Sequence, residues 1–82
     1  MGMGIQEKLL AEMVQYSTSA ARLHSQKSDS DAKWELEDLK RLYSTGAFDD
    51  GCMQRLCHLV IAYYTARVEG EDAALLYYLA NR

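Results

Sequence analysis

Two histidines, two cysteines and a scatter of carboxylates and serines are the side chains in this sequence that could do chemistry. His24 and His58 are far apart in the chain. Cys52 and Cys57 lie close to His58, on what reads as one helix. A zinc site needs three or four ligands converging in tetrahedral geometry. At about 100° per residue, positions 52 and 57 point about 140° apart, so the three side chains diverge. Neither a metal site nor a disulfide between the cysteines is expected. A nucleophile would need a base that orients it. Ser17, Ser19 and Ser25 share a stretch with His24, but nothing in the spacing orients them. The carboxylates group as Glu35, Glu37 and Asp38 along a helix face, and as Asp49 and Asp50 at a helix start. General acid–base work would need them in a cleft with shifted pKa values, and the pattern places them in solvent. No glycine-rich phosphate loop follows a strand. The chain is therefore expected not to be an enzyme and to need no cofactor.

The residues in excess are aromatic. There are six tyrosines, with Tyr63-Tyr64 and Tyr77-Tyr78 as adjacent pairs, and a single tryptophan, Trp34. Neighbours on a helix point about 100° apart, so one member of each pair can fill a core while the other faces a groove. Tyr and Trp join large apolar area to a polar tip, which favours them at interfaces. Trp34 lies about 160° around the helix from Leu36, among Glu37, Asp38 and Arg41. It reads as an anchor for a partner or as a lid over the neighbouring linker. Trp34, Arg41, Tyr63, Tyr77 and Tyr78 are the candidate partner-binding residues.

Four helices must position these residues. The first spans about 4–24, with Ile5, Leu9, Met13, Tyr16, Ala20 and Leu23 as its core face. A Ser/Asp-rich linker follows over 25–31. The second helix covers about 31–44, capped by Ser30 or Asp31 and ended by Gly46. The third covers about 50–68, capped by Asp49-Asp50. It is apolar over most of its circumference, with Arg55, His58, Ala62 and Thr65 as a narrow polar strip. The fourth, about 71–81, is apolar on every side and must be clamped on two faces. Leu36, Leu39 and Leu42, then Gly46 to Asp50 and Met53, resemble the short helical hairpin family called SHOCT over about a third of the chain. Gly51-Cys52 stands where that family has an acidic run. The resemblance implies a helical hairpin.

The expected fold is one all-α domain over residues 1–82, a small bundle of three to four helices. Its 82 residues allow only a modest core. Three broad apolar surfaces are more than one small bundle hides, so a homodimer is expected. The net charge is −3 and no basic cluster appears, which demotes nucleic-acid binding. Two free thiols suit a reducing cytosol. No signal peptide or membrane-length apolar run is visible. The function expected is that of a small adaptor, chaperone-like or inhibitory protein, of bacterial or phage origin, that masks or bridges a partner protein. The alternative is a small DNA-associated regulator using a helix-turn-helix-like hairpin over 31–68, with Gln54, Arg55 and His58 facing the nucleic acid.

Overall fold

The computed structural model describes residues 4–46, 48 and 50–80, and these are all helix or short connection. Five helices follow one another: α1 (Ile5–Tyr16), α2 (Thr18–Ser25), α3 (Asp29–Ser44), α4 (Gly51–Val68) and α5 (Glu71–Ala80).

The single long first helix expected over 4–24 is in fact two. At Ser17 the backbone leaves the helical region (φ −161°, ψ 111°). The Ser17 N–H still closes on the Met13 carbonyl at 2.9 Å, and its hydroxyl accepts the Ala20 N–H at 3.1 Å. One serine thus ends α1 and caps α2. The break shifts the phase of the apolar stripe. Leu9, Met13 and Ala21 are buried, whereas Tyr16 and Leu23 are exposed.

The linker expected over 25–31 is shorter. Ser28, not Ser30 or Asp31, caps α3 by accepting the Asp31 N–H at 3.2 Å. Asp29 and Asp31 then sit in the first turn, where the helix dipole favours a negative charge. After α3, Gly46 adopts the left-handed conformation (φ 66°) expected of it. Asp50 caps α4 by accepting the Cys52 N–H at 2.8 Å. The cap proposed at Asp49 and the helix end proposed at Asn81 lie outside the described residues.

Helix α4 is the centre of the molecule. α1, α3 and α5 all pack on it, and α2 packs on α1. Every residue from 57 to 66 is buried. The polar strip expected on this helix is therefore absent over His58, Ala62 and Thr65. Thr65 resolves its own polarity by donating to the Ile61 carbonyl at 2.7 Å, so it can sit in the core without water. Glu69 and Gly70 close α4, with Gly70 at φ 111° turning the chain into α5. Helix α5 is not clamped on two faces. Ala74 and Tyr78 are buried, while Leu75, Leu76 and Leu79 are exposed.

Candidate functional site

The outer face of α3 carries Trp34, which is 80% exposed. Its position follows from the helical phase. Ala32 and Leu36 point to the core, which turns residue 34 outward. The lid over the linker suggested for it is not formed. An open concavity of about 490 Å³ beside the indole is lined by Lys33, Trp34, Glu37, Asp38 and Arg41. Arg41 lies 3.7 Å from Asp38, with both side chains exposed, so the pair is weak and both groups stay available. Trp34 and Arg41 are thus together on the surface.

The candidate tyrosines are elsewhere. Tyr63 and Tyr78 are buried in the chain's own core, at 4% and 8% exposure. The Tyr63 ring lies under the Arg67 guanidinium, 5.8 Å from the centroid, and Arg67 pairs with Asp29 at 2.8 Å. The Tyr78 hydroxyl donates to Glu12 at 2.9 Å. Tyr77 is partly buried against the core, and burial pushes its phenol up to about 12. Neither Tyr63 nor Tyr78 offers a partner more than an edge. Tyr63 lies on a helix packed on three sides, where a helical wheel cannot assign the core, and Tyr78 lies on the face of α5 that packs against α4 and α1.

The residues offered for nucleic acid also separate. Gln54 is exposed. Arg55 lies over the Tyr78 ring at 5.6 Å. His58 is 1% exposed, not solvent-facing. It stacks against Tyr77 (centroids 5.0 Å, 28° between planes) and Tyr78 (5.8 Å, 23°). Burial first and the Arg55 charge second hold its imidazole below the ordinary histidine range.

A second polar arrangement had no signal in the sequence beyond its residue types. Tyr64 is fully buried, yet its hydroxyl donates to Glu35 at 2.8 Å and meets His24 Nδ1 at 2.6 Å. Because the hydroxyl proton goes to the carboxylate, His24 supplies its own Nδ1–H to the phenol oxygen. Glu35 also pairs with Lys27 at 2.9 Å. The chain Lys27–Glu35–Tyr64–His24 thus ties α2, α3, α4 and the α2–α3 connection together. Burial, then the Glu35 hydrogen bond, pushes the Tyr64 phenol far above its ordinary value. Burial lowers His24, against the pull of Glu35. The Lys27 hydrogen bond lowers Glu35. The residues span 40 positions at the extreme, and no local spacing reports such a contact.

A shallow apolar cleft of about 150 Å³ lies beside His24, lined by Leu39, Leu42, Phe48, Met53, Leu56, Cys57 and Val60. Burial pushes the Cys57 thiol up, so it is not activated as a nucleophile. Cys52 is exposed. Among the described residues no three His, Cys, Asp or Glu side chains gather as a metal site. No helix among them is long and apolar enough to cross a membrane. Compared with known proteins, the chain matches no family model, no curated protein and no solved structure.

Proposed function

We propose that the protein is a non-catalytic helical module that binds another protein chain through the outer face of α3. The observation that carries this reading is Trp34. A tryptophan left 80% exposed leaves a large apolar side chain in water, and the same side chain is among the most effective contact residues when buried by a partner. Glu37, Asp38 and Arg41 beside it supply a polar rim. Masking or bridging a surface of a larger partner suits a small rigid helix face of this kind.

Self-association belongs to the same reading. Leu75, Leu76 and Leu79 form an exposed apolar ridge on α5, and a twofold dimer is the simplest way to cover it. Light scattering coupled to size exclusion, run over a wide concentration range, measures it: a mass of two chains that dissociates on dilution is expected. A monomer at every concentration removes the dimer.

The partner reading is tested by a photo-crosslinking side chain at position 34, expressed in the native host. A discrete adduct is expected from position 34 and not from the exposed control position Gln15. Trp34→Ala should keep the helical content and melting temperature of the parent. If it unfolds the chain, or if position 34 gives no adduct, the reading fails.

A further inference from the structure

We propose that protonation of His58 releases α5 from α4 and unfolds it, making residues 71–80 an acid-operated clasp on the helical core. The proposal starts from an oddity of the core. His58 is 1% exposed, and neither ring nitrogen has a hydrogen-bond partner among the described residues. A buried polar ring without partners is costly, and a charged one, with two N–H donors to satisfy, is far more so. The neutral ring is accommodated as an aromatic plate. It stacks on Tyr77 and Tyr78 of α5 and lies 6.1 Å from the Tyr43 ring of α3.

The groups facing the ring decide what its charge would meet. From α1 come Glu12 and Lys8, and Lys8 lies over the Tyr78 ring at 5.7 Å. From α3 comes the Tyr43 phenol. From α4 itself comes Arg55, which lies over the Tyr78 ring at 5.6 Å. From α5 come the Tyr77 and Tyr78 phenols. Two cations already use the Tyr78 ring, and a third on His58 would repel Arg55. Glu12 would attract it: its Oε1 accepts from the Tyr78 hydroxyl at 2.9 Å, and its Oε2 is buried without a hydrogen-bond partner among the described residues. Burial and Arg55 outweigh Glu12 and the nearby Tyr78 backbone, so the docked ring resists protonation.

The element on the other side of this plate is the one built to leave. Helix α5 has ten residues, too few to stay helical in water without docking. Gly70, at φ 111°, joins it to α4 as a hinge. Its outward residues Leu75, Leu76 and Leu79 are exposed, so in the chain dilute enough to be monomeric nothing described holds it from outside. The sign follows from the direction of the shift. The docked His58 binds its proton less readily than the free ring, whose ordinary value is 6.5. Docking is therefore complete above that value and weakens as pH falls below it, by up to about tenfold per pH unit.

Hydrogen exchange followed by mass spectrometry, corrected for intrinsic rates, tests this on the whole chain between about pH 8 and about pH 5. Protection over 71–80 is expected to fall below about pH 6.5, approaching tenfold per pH unit, while protection over α3 falls less. His58→Phe keeps an aromatic plate that cannot titrate, and should abolish the dependence. His24→Gln should leave it in place. Should His58→Phe fail to fold, titration of the parent by NMR decides, since His58 and the α5 amides must then move together below the ordinary histidine value. Protection over 71–80 that is flat with pH, an unchanged dependence in His58→Phe, or titration of His58 with α5 still docked would each overturn the proposal.

Discussion

Tyr64 shows how far one side chain can be from its sequence description. It belongs to an apolar run in the most buried helix, yet its hydroxyl is the junction of a polar chain reaching the surface at Lys27 and Glu35. A buried hydroxyl must find partners or cost free energy, and His24 and Glu35 supply them. Removing it with Tyr64→Phe leaves both partners near enough to solvent to recover water. The expected loss is therefore that of one good hydrogen bond plus part of a second, about 1–2 kcal/mol. Urea unfolding measures it, with an unchanged dependence on denaturant. A loss near zero would show that the chain of groups is a surface ornament. Tyr63, its sequence neighbour, has a different task, since its ring packs under Arg67.

At the scale of elements, the break at Ser17 matters most. Without it α1 and α2 would continue as one rod, and His24 would not be carried to Tyr64. Ser17→Ala keeps the backbone free to adopt the same turn but removes the acceptor for the Ala20 N–H. A loss of about 1 kcal/mol is expected from the missing cap. Faster hydrogen exchange confined to α2 would locate the effect, and equal exchange throughout would argue that the cap does not hold α2. The start of α3 follows the same chemistry. Ser28 caps it and the aspartates fall in its first turn, so the Ser/Asp-rich stretch is partly a helix start, not a spacer.

Across the whole molecule, stability should form a plateau against pH with two edges of known sign. His24 and His58 are both lowered from 6.5 by burial. They bind protons more readily unfolded, so their contribution is complete above about pH 6.5 and is lost as pH falls below it. Glu35, lowered from 4.5 by Lys27, adds a smaller loss below its own ordinary value, reduced by solvent screening. Tyr64, Tyr77 and Tyr78 are raised from 10.0 by burial. Their contribution is complete below that value and is lost as pH rises beyond it. Cys57, raised from 9.0 by burial, starts the alkaline loss before the tyrosines do, so the urea midpoint is expected to be level between about pH 7 and about pH 8.5 and to fall on both sides. A midpoint still rising as pH drops through 6 would contradict the burial of both imidazoles.

The sequence by itself determined that the chain is helical, where most helices end, and that the third long segment is apolar over most of its circumference. Those features rest on local periodicity, on glycines such as Gly46, and on caps such as Asp50, which act within a few residues. It also placed Trp34 opposite the core stripe, because the phase of one short amphipathic helix is enough for that. Only the tertiary structure decided the rest. A helix packed on three sides has no outward face to read, so His58, Ala62 and Thr65 could not be told from a polar strip. The tyrosines of each pair were sorted by which helix lay over them. The Lys27–Glu35–Tyr64–His24 chain and the aromatic plate around His58 join residues far apart in the chain. Such contacts depend on how helices cross, and crossing is set by the packing of whole faces, not by the spacing of residues along any one of them.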